Sequence, residues 1–162
     1  MDNSQKAGDT AEQKFEKICR AKGYKITKAN KDQNIHEHWD YKVEKNKGPK
    51  LVDVKAAKKI SRRDKDVSYD WTWVEIKNVH GNAGWLKGKA DCIAFGQKDH
   101  FLVVEREELK AWCKSKINLK NKVSRVKDAK YNIYTRKGRK DLLSLINIRE
   151  MKKDIKCWKF KV

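Results

Sequence analysis

Proline is almost missing from this chain. Pro49 is the only one in 162 residues, and it falls in the turn-like segment Asn46-Lys47-Gly48-Pro49. No linker is long enough to divide the sequence into domains, and no internal repeat is visible. Cysteine is sparse and scattered: Cys19, Cys92, Cys113 and Cys157 form no Cys-x-x-Cys pair and have no histidine at zinc-ligand spacing. That excludes a zinc ribbon and leaves four reduced thiols as the reading. No apolar run approaches the roughly eighteen residues of a membrane span, and the polar start MDNSQKAGDT is not a signal peptide. The expectation is a soluble, cytoplasmic protein of one domain with no membrane partner.

Acidic residues are also short, with 22 Asp and Glu against 41 Lys and Arg, for a net charge of +19. Such an excess favours a polyanionic partner through counterion release, but a histone-like binder would show it as readily as an enzyme. The charge is uneven. From Lys114 to Val162, 13 Lys and 4 Arg face only Asp128, Asp141, Glu150 and Asp154, so +13 of the total lies there. Six tryptophans and several strand-like apolar runs argue against a disordered basic tail.

After a loose end at residues 1–7, the pattern predicts a helix capped at Asp9 or Thr10. Ala11, Phe15, Ile18 and Cys19 lie on one face, Glu12 and Glu16 sit one turn apart, and Gly23 is the stop. Strands are predicted at Tyr24–Thr27, His38–Val43, Leu51–Ala57, Trp71–Lys77, Cys92–Phe95 and Phe101–Val104, with a helix near 107–112. The remainder reads as a basic extension of about 114–162 carrying a hairpin, Tyr131–Thr135 turning at Lys137-Gly138-Arg139, and a last strand near 155–162.

The acids of the first third form a trail: Glu12 on the helix, Asp40 on one strand, and Asp53-Val54-Lys55 on the next. Residues two apart on a strand share a face, so Asp53 and Lys55 point the same way. Phosphodiester hydrolysis needs an activated water, neutralisation of charge at phosphorus and help for the leaving oxygen. A magnesium ion held by two or three carboxylates serves all three, with manganese able to substitute. Asp40 and Asp53 are the candidate bridging ligands. Glu12 is a further metal ligand, and Lys55 the residue that orients water or stabilises developing charge.

This order of residues resembles the PD-(D/E)XK nuclease superfamily in its restriction-endonuclease-like and Holliday-junction-resolvase-like branches. The resemblance rests on Gly8-x-x-x-Glu12, the Gly23-Tyr24 step, Asp40 and Asp53-Val54-Lys55, and it covers about residues 8–112. It departs in having Trp39 where the family has proline before the first Asp, and in a rival motif, Glu75-Ile76-Lys77. The resemblance implies an α/β fold with an αβββαβ core around a central mixed sheet. It further implies a magnesium-dependent DNA endonuclease acting as a homodimer, on branched or junction DNA, with catalytic residues Glu12, Asp40, Asp53 and Lys55. A small lysine-rich nuclease without a specificity domain also suggests a phage or mobile-element origin, hence the host cytoplasm. A non-catalytic binder on a degenerate nuclease fold, or a nuclease acting on RNA, is the alternative.

Candidate phosphate contacts are Lys58, Lys59, Arg62 and Arg63 after the active strand, and Lys77, Lys87 and Lys89 near the glycine-rich turn Gly81–Gly88. Lys120, Lys122, Arg125, Lys127, Arg136 and Arg139 in the basic third complete the set. The glycine turn lacks a P-loop's Gly-Lys-Ser/Thr, which argues against nucleotide binding. His36 and His38 read as surface residues of a polar loop, and Trp71 and Trp73 as a core or dimer face.

Overall fold

Alternation along the chain builds the first sheet. In the hairpin of β2 (Tyr41–Lys45) and β3 (Gly48–Lys55), Tyr41 pairs with Val52 and Val43 with Lys50, so these residues and Val54 share one face. Asp53 and Lys55 take the other face. The hairpin turns at Asn46-Lys47, and Gly48 opens β3 at φ +83°, a left-handed backbone that glycine adopts without strain. The structure, a computed structural model, describes residues 3–162.

Strand β1 (Lys25–Lys28) pairs antiparallel with β2 at one edge. On the other side of β3 lie β5 (Cys92–Gly96), parallel to it, then β6 (Phe101–Glu105) and β10 (Cys157–Phe160), both antiparallel to their neighbours. The sheet order is therefore β1-β2-β3-β5-β6-β10. A second sheet, β4-β9-β8-β7, is formed by β4 (Trp71–Lys77), β7 (Asn118–Val123), β8 (Asn132–Tyr134) and β9 (Leu142–Asn147). With α1 (Asn3–Ala21), α2 (Arg106–Lys116) and α3 (Ile148–Asp154), the fold is mixed α/β.

Helix α1 covers one face of the first sheet, because Ala11, Phe15 and Cys19 recur every four residues and bury against Tyr41, Val52, Val54, Ala94 and Phe101. The Phe15 ring stands edge-on to Phe101 at 5.5 Å. The opposite face carries Ile93, Phe95, Leu102 and Val104, which join Val74, Ile76, Ile133 and Ile146 of the second sheet and Leu109 and Trp112 of α2 in one core. Each such side chain contributes roughly 1.5–3 kcal/mol on burial.

Several expectations need correcting. The first helix starts at Asn3, not Asp9 or Thr10. Thr10 Oγ1 donates to Lys6 O at 2.9 Å from within the helix, so residues 3–7 are ordered helix, while residues 1 and 2 of the predicted loose end lie outside the described residues. The connection from β3 to the parallel β5 holds β4 and a single 3₁₀ turn, Trp85–Lys87, where an αβββαβ order would place an α-helix. A parallel connection needs only a structured crossover of sufficient length, and here a strand of the second sheet supplies it. The C-terminal third is not an appendage. It provides β7, β8 and β9, and its last strand completes the first sheet against β6. Trp71 and Trp73 pack within the chain, at 5.7 Å from Tyr131 and 5.1 Å from Tyr134. Among the described residues no helix is long and apolar enough to cross a membrane.

Candidate active site

Where β2 begins, the chain is pinned on both sides: Asp40 N–H donates to Val52 O at 2.9 Å, and Asp40 O accepts from Ala29 N–H at 2.8 Å. This buries the Asp40 side chain beside β3. Its Oδ2 accepts the Val54 N–H at 2.7 Å, and its Oδ1 accepts from Asn34 Nδ2 at 2.7 Å. Asp53, only 3% exposed, stands next to it on β3. Glu12 reaches the same cleft from the middle of α1. The four residues expected from the sequence, Glu12, Asp40, Asp53 and Lys55, all line one cleft of about 470 Å³, together with Asn34, His38, Lys58, Glu75 and Trp85.

Three carboxyl groups this close cannot all ionise cheaply. Burial, then the neighbouring Asp40 carboxyl, push Glu12 from 4.5 up to about 8, against the opposing charge of Lys28. Burial raises Asp53 from 3.8 to about 7, with the Lys55 charge pulling down and Asp40 pushing up. Near neutral pH the cleft therefore holds protons that a bound cation would displace. Lys55 Nζ lies 3.1 Å from Asp53 Oδ2, yet that buried oxygen accepts no well-directed hydrogen bond. The Lys55 ammonium also sits 4.8 Å from the centre of the Trp85 ring, which fixes it from the other side.

The glycine turn explains how Trp85 arrives there. A Cβ on Gly84 would stand 2.4 Å from Glu75 O, and one on Gly88 would stand 2.7 Å from His38 Cβ, so the turn is clamped between β4 and the segment leading to Asp40. Arg106 of α2 secures it further, donating to Ala90 O at 2.7 Å and Leu86 O at 3.1 Å. Glu75 stands at the cleft wall, whereas Lys77, beyond a bulge in β4, does not line it. Of the two acid-x-Lys motifs, only Asp53-Val54-Lys55 places both of its charged ends in the cleft.

Asn34 carries no signal in the sequence. It belongs to a short π-helical turn, Gln33–Glu37, inside a stretch legible only as polar loop, and no spacing marks it. His38 also lines the cleft, its Nε2 3.0 Å from Ala83 O, so it is a wall residue of the site and not the plain surface histidine expected. His36 is exposed.

The proposed phosphate contacts are spread around the molecule. Lys58 is at the cleft, with Lys59, Arg62 and Arg63 exposed on the segment that follows β3. Lys77 is exposed at the end of β4, and Lys87 and Lys89 on the glycine turn, where Lys89 N–H donates to Glu37 O at 2.8 Å. Lys120, Lys122, Arg125, Lys127 and Arg139 lie on the second sheet and its loops. Arg136 is half-buried and ion-paired with the buried Asp141, so its guanidinium is already committed.

Among the described residues, no three of His, Cys, Asp and Glu are arranged to hold one metal ion together. The donor set nonetheless fits magnesium, which takes one or two protein carboxylates and keeps its waters: Asp53 Oδ2, beside Asp40, is met only by the Lys55 ammonium at 3.1 Å and accepts no well-directed hydrogen bond. In comparisons with known proteins, the chain matches no family model, no curated protein and no solved structure.

Proposed function

We propose that this protein is a divalent-cation-dependent DNA endonuclease of the PD-(D/E)XK kind, working as a homodimer on branched or junction DNA. The observation that carries the reading is the cleft itself. Glu12, Asp40, Asp53 and Lys55 meet in one place where two carboxyl groups are pushed towards neutrality and the buried Asp53 Oδ2 is met only by the Lys55 ammonium.

Asp40 and Asp53 would hold magnesium, with Glu12 completing the shell directly or through water. The ion supplies a more acidic water and charge neutralisation at the phosphate. Lys55, steadied between Asp53 and the Trp85 ring, presents an ammonium to the phosphate oxygens and opposes the negative charge that builds as the bond breaks. Glu12 is poised to carry a proton near neutral pH. Lys58, at the edge of the cleft, and the exposed Lys59, Arg62 and Arg63 are the nearest phosphate contacts in sequence.

The test is incubation with supercoiled plasmid, linear duplex, single strand, a four-way junction and RNA, each in Mg²⁺ or EDTA. Nicking of DNA with Mg²⁺, silence in EDTA, and loss of cleavage in Asp40→Ala and Asp53→Ala with binding intact or tighter are expected. Retained cleavage in both variants overturns the site assignment. A second reading, a non-catalytic binder on a degenerate nuclease fold, is favoured by one observation: both Asp40 oxygens are already engaged by Asn34 and Val54. That protein would shift DNA equally in EDTA and never cut.

A further inference from the structure

Helix α1 covers only part of its sheet face. Beyond its C-terminal end a groove of about 890 Å³ opens over Val43, Cys92 and Val103, and the edge strand β10 borders it with Trp158, 39% exposed, and Phe160. An ammonium stands by each aromatic ring of this rim. Lys156 Nζ lies 5.3 Å from the centre of Trp158, Lys22 Nζ 5.7 Å from Phe160, and Lys45 Nζ 5.0 Å from Tyr24, while Tyr24 and Phe160 meet edge-on at 6.1 Å. The lining holds more cationic side chains than carboxylates, and two of its three carboxylates are occupied: Asp91 by the Leu51 N–H, Glu107 by Arg106.

Rings alternating with ammonium groups match one ligand chemistry, flat π-faces strung on a phosphate chain. A duplex conceals its base faces, so an apolar floor with an exposed indole has nothing to offer it, whereas an unpaired strand presents both bases and phosphates. We propose that this groove is a second nucleic-acid site that binds single-stranded DNA, stacking a base on Trp158 with Lys45 and Lys156 on the phosphates. It lies at the opposite end of the β2–β3 hairpin from the carboxylates, so the strand it takes is an unpaired arm of the substrate and not the segment to be cut. That last point rests on the nuclease reading, but the binding itself does not.

Fluorescence anisotropy in EDTA separates the two. Wild-type protein is titrated with a short labelled oligothymidylate, with an abasic oligonucleotide of the same length, with duplex, and with oligouridylate. Removing the bases is expected to weaken wild-type binding by about 10-fold, a typical loss for one stacked base. Trp158→Ala is expected to lose about as much on the normal oligonucleotide and nothing further on the abasic one. Trp158→Phe restores most of the affinity, which a general loss of structure would not allow, and Lys45→Glu flattens the salt dependence. Equal affinity of Trp158→Ala and wild type for the oligothymidylate, or tighter binding of duplex or oligouridylate, overturns the groove assignment and leaves the nuclease reading untouched. Intact groove binding without Mg²⁺-dependent cleavage does the reverse.

Discussion

Replacing Asp53 with asparagine removes a titration and keeps the shape. In the folded chain Asp53 is raised from 3.8 to about 7, chiefly by burial, so between those values the folded protein holds a proton that the unfolded chain has released. Its contribution is therefore complete below about pH 4 and is lost as pH rises to about 7. Above that the buried carboxylate weighs against folding by up to about 4 kcal/mol. In a chain of this size each kcal/mol moves Tm by about 2–4 °C, so the fall in Tm from pH 5 to pH 8 attributable to Asp53 has a ceiling on the order of 10 °C. Asp53→Asn cannot ionise and should lose that part of the slope, leaving the part due to half-buried Glu12, which is raised from 4.5 to about 8. A cation that binds only the folded state adds stability by mass action. Mg²⁺ at pH 8 should then raise the wild-type Tm and leave the Asp53→Asn Tm unmoved. Thermal melts followed by circular dichroism at half-unit pH steps, with EDTA or Mg²⁺, provide the measurement. If the variant's Tm falls with pH as steeply as the wild type's, Asp53 does not carry the raised titration and the electrostatic account of the cleft fails.

Three further outcomes are expected. Lys55→Ala should lower turnover by about 10² or more, as for loss of a group that stabilises a transition state, whereas Lys77→Ala should only weaken affinity; the opposite ranking in steady-state cleavage assays would move the site to Glu75-Ile76-Lys77. Gly84→Ala, whose Cβ would meet the Glu75 backbone at 2.4 Å, should destabilise the fold by roughly 1–3 kcal/mol and displace Trp85, so denaturant melts and cleavage should both suffer. Neutralising Lys120, Lys122, Arg125, Lys127 and Arg139 should reduce the slope of log K against log salt by about 0.9 for each phosphate no longer neutralised and leave kcat unchanged; Arg136, committed to Asp141, should contribute nothing to that slope.

The hairpin of β2 and β3 is legible because short-range alternation sets both its pairing and the side on which Asp53 and Lys55 emerge. Glu12 is legible for the same kind of reason, since the apolar stripe of α1 determines which residues turn towards the sheet. Of the second sheet, the hairpin of β8 and β9 about Lys137-Gly138-Arg139 is legible, and the pairing of β9 with β4 is not. Leu142-Leu143-Ser144-Leu145-Ile146 has no clean alternation, and its partner β4 is distant in sequence, so no local pattern announces their pairing. The helix start is obscured because Gly8 and Thr10 resemble boundary residues. Gly8 in fact sits inside the helix with open space where its Cβ would be, at a propensity cost of about 1 kcal/mol, and the packing downstream outweighs it. Asn34 and the wall formed by Trp85 are illegible for a different reason. Each depends on a loop whose conformation is set by contacts with other elements, and Gly84 and Gly88 disclose their purpose only when the neighbouring backbones are in view.

The pairing of β10 with β6 gives the chain an order of completion. During synthesis, α1 and the strands β1, β2, β3, β5 and β6 emerge first and can associate, but β6 then presents an open edge bearing Phe101, Leu102, Val103 and Val104 until residues 157–160 leave the ribosome. Strand β4 waits in the same way for β9. The first sheet thus remains unfinished until residues 157–160 arrive and the second until residues 142–147, and an unpaired apolar edge is a template for pairing with other chains. A nascent chain stalled before residue 157 should be a client for chaperones.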